Sequence, residues 1–136
     1  MAIPRAVIDT NVVVSSLLSD RGASARLMAL RSRGLFEYVV SMPLAFEYEA
    51  ACRFCIHDSD LAEEILNGLL ESAILVTKRF SVRPLLRDPN DNMVLEAATN
   101  GQCEYVVTFN KKDFLGAELY GISVVTPGEF LTLIGR

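Results

Sequence analysis

Apolar positions cluster at Val7-Ile8, stop on Asp9, and resume from Val12 to Leu18 after Thr10-Asn11. An apolar run bounded by polar residues marks a buried strand. The pattern therefore predicts a strand over Ile3 to Asp9 and a helix over Asn11 to Leu18 that folds back on it. Ser19-Asp20-Arg21-Gly22 is a turn. Ala23 to Arg33 is apolar at Ala25, Leu27, Met28 and Leu30 and charged at Arg26, Arg31 and Arg33, a helical alternation stopped by Gly34. Phe36 to Val40, aromatic and β-branched, predicts a second strand. Ser41 reads as an N-cap, with Pro43 near the first position of a helix reaching about Phe54. Asp60 and Glu63 stand at capping-box spacing and predict a helix to Ser72. Ala73 to Thr77 is a short strand, and Arg79 to Asn90 a loop with Pro84 and Pro89 as breakers. There follow a helix over Asp91 to Thr99 stopped by Gly101, a strand over Tyr105 to Thr108 and a short helix over Asn110 to Leu115. A strand over Ile122 to Thr126 and a helix over Pro127 to Ile134 close the chain.

Strands separated by helices imply an α/β fold with a central, mostly parallel sheet of about five strands covered on both faces. No internal repeat or linker divides residues 1–136, which are read as one domain. In open sheets of this kind ligands bind beyond the carboxyl ends of the strands, where Asp9 falls.

The formal net charge of −4 excludes a surface coated in basic charge for nucleic acid. It leaves room for a local basic rim or a metal-bridged contact with phosphate. The start of the chain shows neither the charged region nor the long apolar core of a signal peptide, and no run approaches a membrane span; the expectation is a soluble cytoplasmic protein. Three cysteines fit reduced thiols. Cys52-Arg53-Phe54-Cys55 has the spacing of half a zinc site, with His57 near, but Cys103 stands alone and there is a single histidine, so a helical core face is the simpler account. The stripe Leu61, Ile65, Leu66, Leu69 and Leu70 reads as core or as a dimer surface.

Acids recur at strand ends and helix starts. Asp9 ends the first strand, Glu47 lies one turn into the helix after the second, Asp88 and Asp91 stand where a loop becomes a helix, and Asn110 and Asp113 follow Tyr105–Thr108. A parallel sheet points all those ends one way. Crowded carboxylates need a counter-charge, and hard oxygen donors suit Mg²⁺ or Mn²⁺. Singly, each has a plainer account: Asp9 and Asp91 as caps, Glu47 as solvated helix surface, Asp113 as a first-turn acid. Glu49 points about 200° around the helix from Glu47, so the two cannot share a site.

Taken together these residues resemble the PIN-domain ribonucleases, over nearly the whole chain and in motif order. Val7-Ile8-Asp9-Thr10-Asn11-Val12 is similar to the opening strand with its first metal-binding aspartate. Ser41-Met42-Pro43-Leu44-Ala45-Phe46-Glu47-Tyr48 resembles the helix of the second acid. Arg87-Asp88-Pro89-Asn90-Asp91 leading into Glu96-Ala97-Ala98 resembles the third motif, with Asp91 at the better spacing. Tyr105-Val106-Val107-Thr108-Phe109-Asn110-Lys111-Lys112-Asp113 resembles the last, with asparagine where many members carry aspartate; either Asn110 or Asp113 fills the fourth place. The resemblance implies a three-layer α/β/α fold and an endoribonuclease using Mg²⁺ or Mn²⁺ held by Asp9, Glu47, Asp91 and Asp113. Thr10, Asn11, Asp88, Thr108 and Asn110 are the candidates to support the site, and Arg83, Arg87, Lys111 and Lys112 the candidates to contact RNA. Chain length and the closing Pro127-Gly128-Glu129-Phe130 resemble the single-domain bacterial toxins of toxin–antitoxin pairs, which implies a homodimer and a small antitoxin partner.

Two alternatives stand beside it. A haloacid-dehalogenase-type phosphatase also ends a strand on a nucleophilic aspartate, but needs a second acid two residues on, where Asn11 stands. A non-catalytic PIN-fold binding module is the other, favoured by the asparagine at 110.

Overall fold

The computed structural model describes residues 3–78 and 89–136. The first apolar run forms β1 (Arg5–Ile8), and the chain turns directly into α1 (Thr10–Leu18) and then α2 (Ala23–Ala29). Next come β2 (Glu37–Ser41), α3 (Met42–Cys55), α4 (Ser59–Glu71), β3 (Ile74–Val76), α5 (Pro89–Asn100), β4 (Tyr105–Val107), β5 (Ser123–Val125) and α6 (Pro127–Leu133). Short 3-10 turns occupy Lys111–Phe114 and Ala117–Tyr120; the second has no counterpart in the sequence pattern.

The five strands form one sheet in the order β3-β2-β1-β4-β5, every pairing parallel. With helices on both faces this is the three-layer α/β/α architecture expected, with β1 at its centre. β1 is buried on both faces, Ala6, Val7 and Ile8 being fully inaccessible, which is why it reads as an unbroken apolar run. α5 covers β1, β2 and β4; α1 packs on α2 and α3, and α3 on α4. Tyr38, Tyr48, Phe114 and Phe130 are the largest fully buried side chains.

Several boundaries differ from expectation, each for a local reason. Helix α2 stops at Ala29, four residues short of Arg33, because the chain leaves the helix through turns before Gly34 adopts φ +76°. The cap of α4 is Asp58, not Asp60: its Oδ1 accepts from the Asp60 and Leu61 backbone N–H groups at 3.0 and 3.2 Å. Pro89, expected as a breaker, instead opens α5, where its missing N–H costs nothing. α6 carries a full capping box, with Thr126 and Glu129 bonded to each other's backbone N–H.

Candidate functional site

The centre of the site is the exit from β1. The Asp9 N–H continues the ladder to the Val107 carbonyl at 2.9 Å, and the chain then enters α1. Asp9 occupies the N-cap position, yet its side chain makes no capping bond; Oδ2 accepts instead from the Thr108 hydroxyl at 2.8 Å. The plain capping account of Asp9 is therefore not what the carboxylate does. Thr108 is fully buried and also accepts from Asn11 Nδ2 at 3.2 Å and from the Asn110 backbone N–H at 3.1 Å. A hydroxyl has one hydrogen and two lone pairs. With both lone pairs taken by N–H donors, the Thr108 proton is committed to Asp9. The other end of the Asn11 amide, Oδ1, is buried with no hydrogen-bond partner.

Glu47 reaches the same edge from α3, where its Oε1 accepts from the Thr10 hydroxyl at 2.9 Å. Glu49 points away and pairs with Arg53 at 3.2 Å, as the helical angle requires. The Asp9 carboxyl is raised above its ordinary pKa chiefly by burial, against the Thr108 hydroxyl and the Thr10 backbone N–H, with Glu47 and Asp113 raising it further. Two of the other three predicted acids, Glu47 and Asp113, thus lie close enough to act on Asp9. Asp113 is exposed on the 3-10 turn after β4, which Phe114 anchors in the core. None of the ion pairs among the described residues involves Asp9, Glu47 or Asp113.

Asp91 lies in the first turn of α5, half-buried. Asp88, Arg83 and Arg87 fall outside the described residues. Lys111 and Lys112 are both exposed, but they differ: the Lys111 ammonium lies 3.0 and 3.2 Å from the two Glu129 carboxylate oxygens, whereas Lys112 enters no ion pair among the described residues. The Thr126 N–H and that ammonium hold the exposed Glu129 carboxyl below its usual range. Asn110 is exposed, its backbone tied to Thr108.

The donor set is all oxygen: the carboxylates of Asp9, Glu47 and Asp113, without an ion pair among the described residues, plus the buried Asn11 amide oxygen, which has no hydrogen-bond partner there. A hard divalent cation fits that chemistry. Among the described residues no three acids, histidines or cysteines already enclose a point where an ion would sit.

The cysteines belong elsewhere. Cys52 and Cys103 are buried and Cys55 half-buried, all as free thiols, while His57 is exposed. Burial pushes the Cys103 thiol up to about 12, and burial with Cys55 beside it raises Cys52. In a DTNB titration of the native chain at pH 8, Cys55 is expected to react quickly and the other two only on denaturation. Three fast thiols would contradict this core placement.

One contributor to the site was missed from sequence. Tyr48, the residue after Glu47, is buried, and its hydroxyl donates to the carbonyl of Ile8, the residue before Asp9. The only available signal was a tyrosine among apolar positions, and its hydroxyl's partner depends on tertiary packing.

No curated protein matches the chain in sequence. The family profile described as PIN domain matches residues 5–112, from the first residue of β1 into the 3-10 turn that follows β4. That span takes in Asp9, Glu47, Asp91 and Thr108, and the chain belongs to the PIN-domain family, a nuclease fold.

Proposed function

We propose that residues 1–136 form a single PIN-like domain acting as a Mg²⁺- or Mn²⁺-dependent endoribonuclease, with Asp9, Glu47, Asp91 and Asp113 as the metal-holding acids. PIN domains are typically metal-dependent nucleases, which supports hydrolysis as the reaction class. The observation that carries the rest is the approach of Glu47 and Asp113 to Asp9 at one sheet edge, with no ion pair to any of the three among the described residues. When bound, the ion would supply an activated water and draw charge from the phosphodiester.

The chain's own groups do the positioning. Thr108 fixes the Asp9 carboxylate with its single proton, and Thr10 holds Glu47. Lys112, exposed and outside any ion pair among the described residues, is the better placed of the two lysines to meet a phosphate; Lys111 must first leave Glu129. Asn11, bonded to Thr108, is not the acid partner a phosphatase nucleophile needs.

In the same proposal the chain is a cytoplasmic toxin component restrained by a small antitoxin, and it pairs as a homodimer. Exposed large apolar side chains, among them Phe54 at 85%, Leu115 at 77% and Leu119 at 76%, support a partner-covered surface. No helix among the described residues is long and apolar enough to cross a membrane.

The test is cleavage of RNA by the wild-type chain and by Asp91→Asn, with and without Mg²⁺ or Mn²⁺. Metal-dependent cleavage that falls at least ~100-fold in the variant is expected, the scale of losing a metal contact. Cleavage in chelator, or an unimpaired variant, would overturn the assignment. RNA binding without cleavage would favour the binding-module reading, which the neutral Asn110 supports.

A further inference from the structure

The buried hydroxyl of Tyr48 plays no part in the chemistry above, yet it joins the two elements that carry the first two acids. Tyr48 follows Glu47 on α3, and its acceptor, the Ile8 carbonyl, precedes Asp9 on β1. β1 pairs with β2 only as far as Ala6↔Tyr38, whereas its pairing with β4 runs on to Ile8↔Val107. The Ile8 carbonyl thus lies beyond the last β1–β2 pair, in a fully buried residue, where an unmet acceptor is costly. As α3 crosses that end of the sheet, the tyrosine hydroxyl meets it.

We propose that Tyr48 is a positioning residue: its bond to the Ile8 carbonyl locks α3 to the end of β1 and so sets the separation of Asp9 and Glu47. The proposal rests on the metal-site reading for its consequence, though not for its geometry. Among the described residues Asp9 and Glu47 share no backbone hydrogen bond, and the side-chain hydrogen bonds across the gap are Thr10 to Glu47 and Tyr48 to Ile8. The first ends on a half-buried carboxylate that must also serve the ion. The second is fully enclosed and attached to backbone, so it persists whatever the acids do.

The molecule supplies its own control. Tyr38 is the other buried tyrosine whose hydroxyl donates to a main-chain carbonyl, that of Leu69, joining β2 to α4. The acid beside it, Glu37, is paired with Arg5 at the start of β1, away from Asp9. Tyr48→Phe and Tyr38→Phe each remove one enclosed hydroxyl and keep the ring that fills the space. Two readouts are needed on the whole chain: calorimetric titration with Mn²⁺ and amide hydrogen exchange of the metal-free protein.

The expected result is an Mn²⁺ affinity about 10-fold weaker in Tyr48→Phe and unchanged within about twofold in Tyr38→Phe, the smaller end of what outer partners of a metal site cost. Exchange should quicken at Asp9 to Val12 in Tyr48→Phe alone. Equal Mn²⁺ affinities and equal exchange in the two variants would overturn the proposal, because the hydroxyl would then be only a satisfied core group. If wild type takes up no Mn²⁺ while exchange still quickens at Asp9 to Val12 in Tyr48→Phe, the lock stands and the metal reading falls.

Discussion

Asp9→Asn is expected to abolish RNA cleavage, by at least ~100-fold, while making the metal-free chain more stable rather than less. Activity falls because the substitution removes the charge of the acid at the centre of the edge. Stability moves the other way. The asparagine keeps an oxygen to accept the Thr108 proton, so that 2.8 Å hydrogen bond survives. It loses an ionised group that burial disfavours and that Glu47 and Asp113 repel. The sign follows from linkage: a carboxyl whose folded pKa lies above its unfolded value favours the folded state at low pH, and that contribution is lost as pH rises through the raised value. At neutral pH Asp9 is therefore a net cost, reduced by its partial contact with water.

The stability difference between Asp9→Asn and wild type should thus be near its neutral-pH value above the raised pKa and move against the variant below it. Thermal unfolding in chelator at neutral pH should show a higher Tm for the variant, by the few degrees that about 1 kcal/mol produces in a chain of this length. Saturating Mn²⁺ should reverse the order, since only wild type gains from the ion. A variant that melts well below wild type without metal would mean that Asp9 is a structural anchor.

The sheet was legible in the sequence because a strand buried on both faces leaves an unbroken apolar run, and Val7-Ile8 ending on Asp9 could be little else. That Glu47 and Asp113 would come near Asp9 was legible for a related reason: parallel strands bring their carboxyl ends to one edge, so residues far apart in sequence fall together without any knowledge of side-chain contacts. What stayed hidden depends on contacts. That Asp58 rather than Asp60 caps α4 follows from where the backbone turns, two residues earlier than the capping-box spacing predicted. The pairing of Lys111 with Glu129 joins residues of two elements that only the folded sheet brings side by side. The Tyr48–Ile8 bond is of the same kind: helical periodicity shows that Tyr48 faces inward but not which carbonyl its hydroxyl meets.

The second large effect is expected at Thr108, and there the order of two substitutions decides the role. Thr108→Val keeps the shape of a fully buried side chain and removes only the hydroxyl. If Thr108 merely filled space, valine would be equal to threonine or better, and Thr108→Ser, which loses a methyl group, would be the worse variant. The hydrogen bonds demand the opposite. Valine strips Asp9 of its donor and leaves the Asn11 Nδ2 and Asn110 N–H groups without their acceptor. One such loss in the interior costs about 1–3 kcal/mol, and the three partner residues are half-buried or exposed, so a net loss of about 2 kcal/mol is expected. Cleavage should fall ~10–100-fold, because the carboxylate is no longer held in one orientation. Serine retains the proton and both lone pairs and should recover most of both. Denaturant unfolding and metal-dependent cleavage, measured on the two variants side by side, give the answer: valine outperforming serine in either assay would reduce Thr108 to packing and leave the orientation of Asp9 to the Thr10 backbone N–H alone.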